Sequence, residues 1–435
     1  MTVKSEVDAR LPIPQLATLG LQHVLAMYAG AVAVPLIVGG ALKLPADRLA
    51  YLINADLLVS GIATLIQCVG VWRFGIRLPI MQGCTFAAVT PMVVIGTTQG
   101  GLPAIYGAVI VSGLLVMLIA PYFAKVVRFF PPLVTGTIIT IIGLSLLPVA
   151  ANWAAGGVGS PGFGQPRNIA LATAVLVLIL AVHRFSTGFL SRIAVLLGIA
   201  LGTLAAIPLG FTDFSHVAGA GLFGISTPFA FGLPTFQVTA IVSMVIVMLV
   251  SMTETTGDFI AVGELTDTEI TPRRLSDGLR ADGLSTALGG VFNTFPYTAF
   301  AQNVGLVGLT KVRSRWVVAT AGGFLVVLGL IPVLGAVIAA IPQPVLGGAG
   351  IAMFGTVAAS GIRTLSRADF GQSHNLVIVA VAVGIAMIPV GVPDFYAQFP
   401  AWAKIILNSG ISTGSLVVIA LNLLFNHTRL EQRTS

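Results

Sequence analysis

Gln302-Asn303-Val304-Gly305-Leu306-Val307-Gly308-Leu309-Thr310-Lys311 carries two carboxamides at one end and a lysine at the other, with no charge between them. The run from Thr298 to Leu309 is apolar enough to lie in a membrane. It is short for a full span, which needs about 20 residues. Adjacent carboxamides are costly in hydrocarbon unless protein groups, water or a ligand pair with them. Gly305 and Gly308 let the backbone break or approach another segment closely. The basic cluster Lys311, Arg313 and Arg315 closes the stretch. These features predict a broken helix whose open end presents a donor and acceptor pair at membrane depth. The plainer reading is that Gln302 and Asn303 only knit helices together.

Working outward, the whole chain supports a membrane setting. Of 435 residues, 56% are hydrophobic and only 9% charged, and the mean hydropathy is +0.99. No water-soluble fold of this length manages with so little charge, so the chain reads as a polytopic, all-α membrane protein. Met1 to Arg10 lacks the pattern of a cleaved signal peptide. The two cysteines, Cys68 and Cys84, both lie in apolar segments and predict neither a disulfide framework nor a metal site. The net charge of +7 follows from the bias of basic residues toward the cytoplasmic side rather than from nucleic-acid binding. No metal-ligand spacing, nucleotide loop or nucleophile elbow is present, so no cofactor and no catalysis are expected.

Apolar runs divide the chain into fourteen segments. The third is placed at Pro79–Ile95, the eighth at Phe236–Gly257, the ninth at Asp282–Thr294, the tenth at Thr298–Leu309 and the eleventh at Trp316–Ile341. With the N-terminus inside and the side alternating, only Lys43, Arg48, Arg167 and Lys404 fall outside. The other eighteen of the 22 Lys and Arg residues, Lys4, Arg128, Arg429 and Arg433 among them, fall inside. That asymmetry supports fourteen spans with both termini cytoplasmic.

A weak internal repeat runs through the chain. Leu118-Ile119 matches Leu330-Ile331, and Pro132-Leu133-Val134 matches Pro344-Val345-Leu346, both 212 residues apart (330 − 118 and 344 − 132). Thr85-Phe86-Ala87 resembles Ala299-Phe300-Ala301. Because seven is odd, the second copy is inverted, and inverted repeats mark alternating-access transporters with a site near the midplane. The third and tenth segments are equivalent, and both are short and interrupted. Their β-prone pairs, Thr85-Phe86 and Phe300-Ala301, predict extended backbone facing across the repeat.

Four acids do not obviously lie in loops. A carboxylate at mid-membrane costs about 2.5–3.5 kcal/mol on the insertion scale. Glu254 and Asp258 are four apart and share one helix face, where joint ionisation is disfavoured. That suits a proton carrier or a ligand-binding group. Alternatively, both lie past the helix end beside the acidic stretch Glu264–Glu269. Asp282 reads equally as a site residue or as a carboxylate at a helix N-terminus. Asp56, near the start of its span, reads as a capping residue. His23 follows Gln22 in the first span and is either a satisfied hydrogen-bonding residue or an organiser of the site.

Gln302-Asn303-x-Gly305-x-x-x-x-Thr310-Lys311 resembles the signature of the nucleobase–ascorbate transporter family, the nucleobase:cation symporters of the xanthine/uracil permease type. Gln22-His23, Glu254-x-x-x-Asp258 and Asp282 also resemble that family, and the similarity runs from Leu11 to Leu424. The resemblance implies a core domain (residues 11–131 and 228–343) against a gate domain (132–212 and 344–427). It also implies a homodimer and an elevator-like motion of the core. By the same resemblance, Glu254 and Gln302 bind the base, and Phe86 stacks on or borders it. Main chain around Thr85, Phe86 and Ala301 adds hydrogen bonds, while Asn303, His23, Asp258 and Asp282 shape the site and its proton linkage.

A planar heterocycle needs the donors and acceptors that Glu and Gln supply and an aromatic or apolar slot. Gln302 with Asp258 resembles the xanthine and uric acid carriers, whereas uracil carriers tend to have Glu and His there. Tyr297 stands where a smaller polar residue is expected. The expectation is therefore a purine permease (xanthine or uric acid) of the bacterial inner membrane, driven by protons, with sodium coupling unresolved. A uracil permease, or an anion transporter of the sulfate-permease type, is the alternative on the same fold. A membrane enzyme or receptor would need a nucleophile, a metal cluster or a soluble domain.

Overall fold

The computed structural model describes residues 6–126, 130–215, 217–371 and 373–427. Lys4, Arg128, Arg429 and Arg433 of the charge count lie outside the described residues. The first half holds α1 (Ile13–Ala41), α2 (Ala46–Val69), β1 (Gln82–Cys84), α3 (Val89–Thr98), α4 (Leu102–Val126), α5 (Pro132–Ala154), α6 (Pro166–Phe185), α7 (Phe189–Arg192) and α8 (Ala194–Ala206). The second holds α9 (Val238–Leu265), α10 (Pro272–Val291), β2 (Tyr297–Ala299), α11 (Ala301–Thr310), α12 (Arg315–Gly329), α13 (Pro332–Ala339), α14 (Gln343–Leu365), α15 (Ser373–Gly391), α16 (Ala401–Leu407) and α17 (Gly410–Asn422).

Eight of these helices are long and apolar enough to cross a membrane, and the bent pair α12–α13 meets the same length and composition when taken together. The short apolar helices Phe86–Thr98, Ala194–Ala206 and Gly410–Asn426, together with α10 and α11, complete the fourteen segments. The repeat is visible in the elements. α3 and α11 begin 212 residues apart (301 − 89), and α5 and α14 begin 211 apart (343 − 132). Packing obeys the same exchange: α2 lies on α12, α4 on α10, and α5 on its own counterpart α14. Backbones meet at these contacts. A Cβ at Gly61 would come 2.5 Å from Gly322 O, and one at Gly113 would come 2.5 Å from Ala287 N. Small residues at such crossings let helices associate through close packing, where water provides no driving force.

Three expectations are corrected. The ninth segment does not start at Asp282: α10 starts at Pro272, with Thr271 capping the Arg274 amide at 3.3 Å. Asp282 is therefore ten residues into the helix and cannot be its N-terminal carboxylate. The eleventh segment is not one rod, because α12 and α13 meet at 81°. Pro332 forces the residue before it out of the helical region, and Ile331 sits at φ −110°, ψ 91°. The strands lie at Gln82–Cys84 and Tyr297–Ala299, and the extended backbone continues only through Thr85 and Phe300, not into Phe86 and Ala301. Phe86 opens a 3-10 turn and Ala301 opens α11, because each strand must end where helix can begin to satisfy its backbone.

Candidate functional site

β1 and β2 pair antiparallel, with Gln82 opposite Ala299, Gly83 opposite Thr298 and Cys84 opposite Tyr297. Thr85 N donates to Pro296 O at 2.9 Å and Phe300 N to Met81 O at 3.0 Å, extending the ladder at both ends. Each strand then runs into a short helix, so two helix N-termini start beside the crossing. Thr85 Oγ1 accepts from Ala87 N at 3.2 Å at the first. Asn303 N donates to Phe300 O at 3.0 Å at the second. The first amides of a helix have no intrahelical acceptor, and half-helix ends of this kind form binding sites inside membranes. The Phe300 ring fills the space between Gly30 and Gly83, where any Cβ on Gly83 would collide with it.

α9 is docked on the crossing by two hydroxyl residues one turn apart. Ser251 Oγ lies 3.3 Å from Thr85 Oγ1. Thr255 Oγ1 lies 2.8 Å from Thr298 Oγ1 and accepts from Ala299 N at 3.2 Å. Glu254 and Asp258 follow on the same helix, both half-buried, with open space beside Gly257 between them. Neither lies past the helix end, since α9 continues to Leu265. Asp258 Oδ2 is buried without a hydrogen-bond partner among the described residues.

The carboxamide pair splits. Gln302 is exposed beside exposed Ala301, whereas Asn303 is fully buried. Asn303 Nδ2 donates to His23 O at 2.9 Å and lies 3.1 Å from His23 Nδ1, tying α11 to α1. The knitting role thus belongs to Asn303 and His23, and the open end of the helix belongs to Gln302. Phe86 is half-buried and meets Phe354 of α14 edge to face, with ring centroids 5.9 Å apart.

Asp282 is buried at mid-helix, where its Oδ1 accepts from Gln67 Nε2 at 2.6 Å and from Gln82 Nε2 at 3.0 Å. It thereby reaches the first residue of β1. Asp56 is no cap: ten residues into α2 and wholly buried, its Oδ1 accepts from Cys84 Sγ at 2.7 Å, Thr294 Oγ1 at 2.9 Å and Tyr297 Oη at 2.9 Å. Tyr297 is equally buried. Sequence reading missed Ser251, Thr255, Gln67 and Gln82. The spacing of Ser251 and Thr255 was a usable signal, because it puts both hydroxyls on one face of the helix that carries Glu254 and Asp258.

The chain matches the Permease family (Xan_ur_permease) over residues 14–395. It belongs to the nucleobase–ascorbate transporter family. The permease is 49% identical over 421 residues to nucleobase transporter PlUacP of Paenibacillus larvae, covering 96% of each chain. It is 47% identical over 412 residues to xanthine permease of Bacillus subtilis, covering 94% of this chain and 93% of that one. With uric acid transporter UacT of Escherichia coli it shares 46% identity over 424 residues, covering 97% and 88%. Among solved structures, the permease resembles the transmembrane domain of the cyanobacterial bicarbonate transporter BicA (TM-score 0.59, 16% identity, covering 96% of this chain and 100% of that one). It also resembles murine solute carrier 26 family member A9 in the inward-facing state (TM-score 0.66, 12% identity, covering 97% and 69%). At such low identity these two speak for the fold alone, the inverted repeat of seven plus seven segments. The permease is a multi-pass membrane transporter for a small nucleobase substrate, not an enzyme.

Proposed function

We propose that the permease imports a purine base, xanthine or uric acid, across the inner membrane by secondary active transport coupled to protons. The observation that carries this reading is the strand crossing, where two broken segments from the two halves meet beside a carboxylate and a free carboxamide. Relatives named for xanthine and uric acid transport, 46–49% identical over nearly the whole chain, favour purines over pyrimidines. Glu254 and Gln302 hold the edge of the base through complementary donors and acceptors. Phe86 borders its face, and main chain at Thr85, Phe86 and Ala301 supplies further hydrogen bonds. Asn303 and His23 position α11, while Asp282 positions β1 through Gln82. Glu254 links binding to protonation, with Asp258 as its partner on the same face.

Residues 11–131 and 228–343 form the moving core and residues 132–212 and 344–427 the gate. Two copies associate as a homodimer, and both termini face the cytoplasm. Uptake of labelled xanthine into proteoliposomes, competed with urate, hypoxanthine, uracil and sulfate, tests the reading. Gradient-dependent uptake blocked by urate but not by uracil or sulfate is expected. Transport of uracil or sulfate instead would overturn the assignment of the pocket while leaving the fold intact. Glu254→Gln is expected to abolish accumulation driven by a pH gradient. Accumulation at the normal level would remove Glu254 from the coupling step.

A further inference from the structure

Away from the strand crossing, a cleft of about 220 Å³ opens at the end of the core that we place in the cytoplasm. It is lined by Arg73 from the turn after α2, Pro121 of α4, and Arg273, Ser276, Asp277 and Arg280 from the first turns of α10. Three guanidinium groups thus surround a single carboxylate. That carboxylate is already engaged, since Arg280 Nη1 donates to Asp277 Oδ1 at 3.1 Å. Ser276 lines the cleft beside them.

The backbone adds to the positive field. α10 begins here with no acidic side chain in its first turn. Thr271 caps only the Arg274 amide, which leaves the Arg273 amide without an intrahelical acceptor. The partial positive charge of a helix N-terminus then points at whatever fills the cleft. The surroundings set its depth. Trp72 is 79% exposed and Tyr122 is 65% exposed, flanking Arg73 and Pro121, with exposed Leu118 one turn further along α4. The Arg73 guanidinium lies 5.9 Å from the Trp72 ring. Exposed Trp and Tyr mark the membrane–water interface, and basic pockets at that level take lipid headgroups.

We propose that this cleft binds a phosphate group, and that in the membrane its occupant is the headgroup phosphate of an anionic phospholipid. Arg73 and Arg273 supply charge and donors from two elements, so a bound phosphate joins the turn after α2 to the start of α10. Arginine suits the task because its planar donors fit phosphate oxygens in pairs.

Native mass spectrometry of the full-length permease, loaded with phosphatidylglycerol or with phosphatidylcholine, tests the proposal. The wild type is expected to retain phosphatidylglycerol preferentially. Arg73→Ala combined with Arg273→Ala is expected to weaken that retention about tenfold or more, leaving phosphatidylcholine unaffected. Arg363→Ala, which removes a basic residue elsewhere, is expected to change nothing. Equal retention of both lipids, or equal phosphatidylglycerol binding by wild type and double variant, overturns the proposal. Two arms use the wild type alone and do not depend on any variant folding. Millimolar glycerol phosphate that displaces phosphatidylglycerol supports a phosphate site, and failure to displace it overturns one. Inorganic phosphate then separates the sources: a rise in Tm with phosphate in lipid-free detergent extends the site to the free anion. No rise confines the site to the lipid headgroup.

Discussion

Asp56 Oδ1 receives donors from Cys84, Thr294 and Tyr297, and Cys84 and Tyr297 are themselves partners in the strand ladder. One carboxylate therefore fixes one end of the crossing from inside α2. Removing the Tyr297 hydroxyl takes away one of three donors and leaves the carboxylate engaged. Tyr297→Phe is expected to cost about 1–3 kcal/mol, read as a lower Tm, with the ranking of purines in a competition assay unchanged. A changed ranking would place Tyr297 in the substrate pocket instead. Gln302 and Asn303 make the opposite comparison. Gln302→Ala removes an exposed side chain with little packing to lose, so uptake is expected to fall while Tm holds. Asn303→Ala breaks the link to His23, so Tm and uptake are expected to fall together. In the sequence these neighbours have the same chemistry. What separates them is the register of α11, set by the strand that precedes it, and a local pattern of two amides does not encode that register. Asp282 was ambiguous for a related reason: its partners Gln67 and Gln82 are some 200 residues away in the chain.

The strand–helix segments are the elements that carry the candidate site, and their tightest point is Gly83. The Phe300 ring occupies the volume that any side chain there would need. Both residues are buried in the crossing, where overpacking typically costs about 1–3 kcal/mol. Gly83→Ala is expected to lower Tm and nearly abolish uptake, because the collision lies in the ladder that aligns the two helix N-termini. Trimming the ring tests that mechanism, since Gly83→Ala with Phe300→Leu is expected to recover part of the lost stability. No recovery would mean that the damage comes from the backbone rather than from the ring. The pairing of short, interrupted segments was legible because glycines and polar residues stand out against long apolar runs. The strand bounds were misplaced by a few residues because β-propensity reflects packing on a pleated surface. Thr85 and Phe300 pass that test and are extended, whereas Phe86 and Ala301, the second residue of each pair, already belong to the helices. The bend at Pro332 was present in the sequence as a proline after Ile331, but continuous hydropathy across it concealed the break.

At the scale of the whole molecule, the inverted repeat has a consequence for sidedness. Each half contains an odd number of crossings, so equivalent points in the two halves face opposite sides of the membrane. Lys43 follows α1 and Arg363 lies in the last turn of α14, and both side chains are exposed. With the N-terminus inside, as proposed, counting crossings would put Lys43 on the outer face and Arg363 in the cytoplasm. The two native cysteines are fully buried, so the wild-type chain should stay silent toward a membrane-impermeant maleimide. Lys43→Cys is expected to label in intact cells, and Arg363→Cys only after permeabilisation. Labelling of both from the same side would mean that the number of crossings between α1 and α14 is wrong by one, and the bent α12–α13 pair is where the count would fail. The charge asymmetry is the only sequence feature that proposes this sidedness, since each basic residue is expensive to carry across the bilayer. The fit of one half against the other was not readable in that way, because it depends on glycine contacts such as Gly61 on α12 and Gly113 on α10. In the sequence these are two of fifty glycines, and only the packing of the helices tells them apart from the rest.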